Sequence, residues 1–267
     1  MPDWTPGKQK RVCLLLGLIL LLTASFLTFD WTQYWFGVVR IADPERMYAR
    51  IAKTLTSLLV AVLALSVGDD GIDEKDPIRL RRAFAAILTG DLLFLLDEIH
   101  PAFDYPAIVA FLVAHVLIIV RNGHGLRSYW HQATARSRAI DLALAAGMAL
   151  VTALLFAFTL LEHLAGSPLL YVLLVYAVFL VASLWTGWMS LRIGYFPRTN
   201  AALIATGATF FFVGDYIVGF NLSLEPSLAR VTTLFLTWVF YAPAITLLAL
   251  SGYRWVVRRA TRRRRKR

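Results

Sequence analysis

Apolar residues fall into eight blocks along the chain, at about 12–29, 51–68, 82–96, 107–120, 138–161, 168–191, 200–220 and 231–250, with most of the charge in the short stretches between them. A helix crossing the roughly 30 Å hydrocarbon layer needs about 20 mostly apolar residues. The pattern therefore predicts an all-α polytopic integral membrane protein: eight transmembrane helices in a single domain over residues 1–267. The third and fourth blocks are short, and each carries an ionisable residue. The first follows Lys8, Lys10 and Arg11 as a signal sequence would. Its apolar stretch is long and lacks a small-x-small cleavage site, so it reads as a retained span.

Composition excludes a soluble enzyme. Hydrophobic residues make up 58% and charged residues 16%, with a mean hydropathy of +0.64, against about 45–50% and 25% in soluble domains. The net charge of +10 would raise nucleic-acid binding, but nine of the 27 basic residues lie in the tail 252–267, directly behind an apolar block. That position fits a cytoplasmic anchor to anionic lipid headgroups, and no nucleic-acid partner is expected. Orientation follows from the bias of Lys and Arg between loops. With both termini cytoplasmic, 22 of the 27 lie inside, leaving Arg40, Arg46, Arg50, Lys53 and Arg230 outside. Trp31, Tyr34, Trp35 and Phe36 in the first outer connection read as an interfacial aromatic belt. Cys13 is the only cysteine and forms no intrachain disulfide.

Ionisable groups inside apolar spans normally face the bundle interior and mark a functional route. Five qualify: Lys53, Asp91, His115, Asp141 and Asp215. Lys53 is near enough to a span end to extend outward. Asp141, beside Arg136 and Arg138 at a boundary, reads as a surface ion pair. His115 fits an interhelical hydrogen bond as well as a catalytic role. Asp91 and Asp215 each follow a glycine deep in an apolar run, in TGDLLFLL and VGDYIVGF. Spans three and seven run in the same direction, so the pairs occupy related depths in two parallel four-helix halves, a 4+4 pseudo-repeat. Asp91, Leu95 and Glu98 share a helix face, which places Glu98 at the mouth of a common cavity.

These motifs resemble those of the YhhN-like membrane family, which includes the lysoplasmalogenases. Gly90-Asp91 with Leu95 resembles the family's Gly-Asp on span three, and FLVAH, from Phe111 to His115, resembles its Phe-Leu-x-Ala-His on span four. GATFFFVGD, from Gly207 to Asp215, resembles its Gly-Ala-x-x-Phe-x-x-Ser-Asp on span seven. Departures are Gly214 in place of serine, Thr54 after Lys53 in place of proline, Ile118 in place of tyrosine, and FYAPAI on span eight, which keeps Tyr241 but lacks Ala-Gln.

The resemblance implies cleavage of the vinyl-ether bond of a lysophospholipid substrate, a lysoplasmalogen, to a fatty aldehyde and a glycerophospho-base. Protonating a vinyl ether on carbon gives an oxocarbenium-like cation that water captures, which requires one protonated carboxyl and one carboxylate. Asp91 and Asp215 are the implied catalytic pair, with the acid of the two left open. His115 orients or relays, and Lys53, Glu98 and Tyr241 contact substrate. No cofactor or metal is implied, and the chain has no nucleotide-binding glycine loop, Cys-rich zinc pattern or Gly-x-Ser-x-Gly elbow. A proton-coupled transporter using the same Asp and His residues is the alternative. A zinc hydrolase would need about three protein ligands, and only His115 among the histidines lies at depth.

Overall fold

The structure, a computed structural model, describes residues 5–35, 45–68, 71–96, 100–224 and 228–255. Its helices are α1 (Pro6–Trp35), α2 (Glu45–Leu65), α3 (Asp76–Leu96), α4 (Asp104–Asn122), α5 (Leu126–Gln132), α6 (Ala135–Thr159), α7 (Leu161–Leu164), α8 (Pro168–Ile193), α9 (Arg198–Ser223) and α10 (Leu228–Leu250). Among the described residues there is no strand, and the chain is an all-α integral membrane protein.

Among the described residues, seven helices, not the expected eight, are long and apolar enough to cross a membrane. The exception is α3. It begins six residues before the block at 82–96 and carries Asp76, Arg79, Arg81, Arg82 and Asp91 within its 21 residues. Its surroundings compensate for this polarity, because α2 and α4 pack along it. Asp76 is fully buried, and Leu80, Ala83, Phe84 and Ile87 enter the core.

Short-range chemistry sets the helix ends. Ser167 accepts the Leu169 N–H at 3.2 Å ahead of Pro168, as capping residues do, and α8 stops at Gly194 with φ +74°. Thr134 caps α6 through Ser137 N–H. Asp73 accepts the N–H groups of Lys75 at 2.8 Å and Asp76 at 2.6 Å, ahead of α3. The Tyr195 hydroxyl donates to the same carboxylate from the α8–α9 turn. Burial pushes the Asp73 carboxyl up, but these three donors and nearby Arg79 outweigh it and hold it below its ordinary 3.8. Burial, followed by the Asp73 contact, pushes the Tyr195 hydroxyl up. A depressed carboxyl stabilises the fold fully above its unfolded value and loses that contribution as pH falls through the folded one. Asp73→Ala is expected to cost about 1 kcal/mol at neutral pH, and the difference from wild type should shrink below pH 3.8 in detergent melting curves.

The central core joins α1, α2, α3, α4, α9 and α10 through Val12, Leu63, Phe84, Phe111, Phe211 and Ile245. Glycines set the closest approaches. A Cβ at Gly90 would lie 2.6 Å from the Phe111 ring, and one at Gly207 would lie 3.2 Å from the Ala244 carbonyl on α10. At the end of the bundle that holds the start of α3, Arg121 is buried. Its Nε and Nη2 donate to Asp76 at 2.8 and 3.1 Å, and its Nη1 donates to Ser251 Oγ at 2.8 Å. Asn200 on α9 donates to the Ser251 and Tyr253 carbonyls at 2.8 and 2.6 Å.

Asp141 differs from its expected role as a surface pair with Arg136 and Arg138. It is fully buried, takes a hydrogen bond from Tyr129 at 2.9 Å, and pairs with Arg192 of α8 at 2.6 Å. Along α6 its side chain faces α8, the helix against which α6 packs.

Candidate active site

Five helices each contribute one polar side chain to the middle of the bundle. The Tyr241 hydroxyl on α10 lies 2.7 and 2.8 Å from the two oxygens of Asp91 on α3. Across the core, Asp215 on α9 receives the Tyr176 hydroxyl from α8, and His115 Nε2 from α4 lies 2.7 Å from the same Oδ2. His115 Nδ1 is buried with no hydrogen-bond partner among the described residues. A neutral imidazole in that setting carries its proton on Nε2 and donates it to Asp215.

Aromatic rings link the two carboxylate groups. Phe211 stacks against His115 at 4.8 Å and meets Tyr241 edge-on at 5.8 Å. Phe111 contacts Tyr241 at 6.1 Å, and Gly90 leaves the space that brings its ring beside Asp91. Both carboxylates face one cavity of about 750 Å³, also lined by Tyr176, Tyr241, Phe111 and Ser57. Much of its remaining wall is hydrocarbon, from Phe94, Ile108, Leu173, Val218 and Leu234, as a site for an apolar ligand requires.

The structure brings together Asp91, Asp215, Tyr241 and Lys53 as cavity-lining residues. His115 is fully buried and sits behind Asp215, outside the lining. Lys53 does not extend outward: its Nζ lies 2.6 Å from Asp30 of α1, with side chains 11% and 5% exposed. Phe26, Phe235 and Trp238 surround the ammonium at 5.6, 5.7 and 5.9 Å, within cation–π range. Glu98 lies outside the described residues, as do Arg40, Phe36 and the tail beyond Trp255.

Sequence reading missed Tyr176 and Asp30. Tyr176 had a readable signal: it lies five residues deeper in its block than Tyr171, whereas tyrosines of spans concentrate at the interface. Among the described residues, no group of three or more His, Cys, Asp or Glu is placed to hold a metal ion.

Fold and site together define a polytopic helical membrane protein with an acidic, largely hydrocarbon-walled cavity inside its bundle. The family model of the YhhN family matches residues 48–252, and the chain belongs to that family. The match begins in α2, so α1 and its Asp30 lie outside it. Neither the curated proteins nor the solved structures gave a match to the chain.

Proposed function

We propose that this protein hydrolyses the vinyl-ether bond of lysoplasmalogens, with Asp91 as general acid and Asp215 as the ionised partner. The observation that carries the reading is the pair of carboxylates facing one cavity, each held by its own tyrosine. Family membership supports the class of reaction. The difference in donors supports the roles. Tyr176 and His115 both converge on Asp215 Oδ2, two donors aimed at one oxygen. Asp91 faces the single hydroxyl proton of Tyr241.

Asp91 delivers its proton to the alkene carbon remote from the ether oxygen. Positive charge then develops across the adjacent carbon and that oxygen, where Asp215 stabilises it. Water adds to the cationic carbon, its proton returns to Asp91, and the hemiacetal collapses to a fatty aldehyde and the glycerophospho-alcohol. His115 acts through Asp215 as a positioning residue. The Lys and Arg distribution supports cytoplasmic termini, with α3 as a crossing segment and the start of α2 on the opposite side. The basic tail would then hold anionic lipid at the cytoplasmic surface.

The test is loss of the sn-1 chain, followed with the purified protein on three lysolipids that differ only in the sn-1 linkage. Aldehyde is expected from the vinyl ether, with no fatty acid from the ester and no fatty alcohol from the saturated ether. Only a vinyl ether has a carbon that accepts the proton, so release of fatty acid from the ester at an equal rate would defeat the reading.

A further inference from the structure

Every described residue that lines the cavity lies on one side of the two carboxylates or level with them. The deepest are Ser57 on α2, Asp91 on α3, Phe111 on α4, Tyr176 on α8, Asp215 on α9 and Tyr241 on α10. From these the lining runs in one direction, toward the end of the bundle where α2, α4, α8 and α10 begin and α3 and α9 finish. One turn the other way, the same six helices carry Ala61, Ile87, His115, Leu180, Phe211 and Ile245, each buried and none lining the cavity. The cavity is therefore blind, and the carboxylates stand at its floor.

Its walls differ. From the floor outward, the lining face of α2 reads Ser57, Thr54, Lys53, Arg50 and Ala49, polar in all but the last. On α3, α4, α8 and α9 the lining becomes hydrocarbon within one turn. Asp91 gives way to Phe94 and Leu95, Phe111 to Ile108, Tyr176 to Leu173, and Asp215 to Val218 and Gly219. Among the described residues, polar side chains return to this wall toward its far end, as Asp104 and Asn221. Gly219 gives the wall its depth. It stands one turn from Asp215 on the same helix face, about 6 Å of rise. A Cβ there would make ordinary contact with Leu173, 3.9 Å from its Cδ1. Alanine therefore fits without strain, and a longer side chain would take up cavity space beside Leu173.

A blind cavity constrains a substrate that is cleaved near its middle. The reacting ether of a lysolipid joins the hydrocarbon chain to the glycerophospho group, so once it reaches the floor both parts leave through the same opening. The unlike walls offer each part a matching surface, since polar groups keep their contacts on one side and hydrocarbon is buried on the other.

We propose that the lysolipid binds bent at its ether linkage. Its hydrocarbon chain returns along the α3, α4, α8 and α9 wall past Gly219, and its polar group returns along α2. The proposal rests on the lysolipid reading and assigns the pose and the chain subsite of that same cavity. Lys53 keeps its pairing with Asp30 in this arrangement.

A saturated 1-O-hexadecyl lysophospholipid carrying a diazirine midway along its chain tests the pose, because the saturated ether has no alkene carbon to protonate. Irradiated with the purified full chain in detergent, the diazirine loses dinitrogen and the carbene inserts into a neighbouring C–H bond. Adducts are expected on Leu173, Val218 or Leu222, and excess unmodified ether should remove them. Adducts beyond the floor, on Ile87 or Leu180, would mean an extended pose and overturn the proposal. So would adducts on the α2 wall, or adducts that excess ether does not displace. Affinity gives a second arm. Gly219→Leu should weaken binding of the hexadecyl ether on the order of tenfold, the scale of one to two buried methylenes. The matching butyl ether, whose chain ends about 5 Å from the oxygen, should keep its affinity within about twofold and so show that the cavity is folded. Equal weakening of both ethers, or of neither, overturns the chain subsite. Neither ether reacts, so the expected adducts in a protein that releases no aldehyde from the vinyl ether would keep the pose and remove only the vinyl-ether reading. Aldehyde release with adducts beyond the floor would do the reverse.

Discussion

Asp91→Asn is expected to slow aldehyde release by about 10²- to 10⁴-fold, the range a positioned general acid supplies, with KM little changed. The amide is nearly isosteric and still offers Tyr241 an oxygen to replace the contacts at 2.7 and 2.8 Å, so the cavity keeps its shape while the acidic proton is lost. A fall in kcat and in kcat/KM together, without a rise in KM, marks a group that acts in the transition state. Asp215→Asn should also fail, for a different reason. Its amide oxygen can still accept from Tyr176 and His115 at the one position both reach, but the neutral side chain no longer offsets the cation. Isotope placement checks the chemistry independently of rate. In D₂O the released aldehyde should carry one deuterium on the carbon next to the carbonyl, because that carbon receives the proton. Full activity in Asp91→Asn, or aldehyde without that deuterium, would end the proposed mechanism.

The site was legible in the sequence where polarity interrupts hydrocarbon. Asp91, His115 and Asp215 each stand out in an apolar run, and the two Gly-Asp pairs suggested related depths before any contact was known. Residues whose meaning depends on a partner in another helix were less legible. Asp30 ends the first apolar block and looks like an ordinary boundary charge until α2 brings Lys53 to 2.6 Å. Tyr176 is half hydrophobe, so only its depth distinguishes it from Tyr171. Asp141 was misread because sequence neighbours offered Arg136 and Arg138, while packing supplied Arg192 from α8. The eight expected spans and the seven helices apolar enough to qualify among the described residues part at α3 for a related reason. Hydropathy scores a helix as though lipid surrounded it, whereas α3 has α2 and α4 along its sides and an arginine waiting for Asp76.

That arginine gives the largest expected effect on stability. Arg121→Ala should cost about 3–5 kcal/mol, the penalty for leaving one partner of a buried pair without its counter-charge. The guanidinium is fully buried and donates to Asp76 at the start of α3 and to Ser251 beyond α10. The Phe196 ring covers it at 5.2 Å. Asn200 binds the same Ser251 carbonyl that Arg121 Nη2 reaches at 3.2 Å, so α3, α4, α9 and the chain after α10 converge on one cation. Removing it strands the Asp76 carboxylate at 0% exposure. The double variant Arg121→Met with Asp76→Leu removes both charges and keeps volume, and should unfold later than Arg121→Ala, since a buried pair contributes less than either half costs when left alone. Thermal unfolding in detergent measures both. An Arg121→Ala protein melting with wild type, or a double variant weaker than the single, would refute this account. Arg121 lies 17 residues along α4 from Asp104 at the cavity, about 25 Å of helix rise. The folded fraction of each variant should therefore keep the wild-type KM, which separates loss of the bundle from loss of the chemistry inside it.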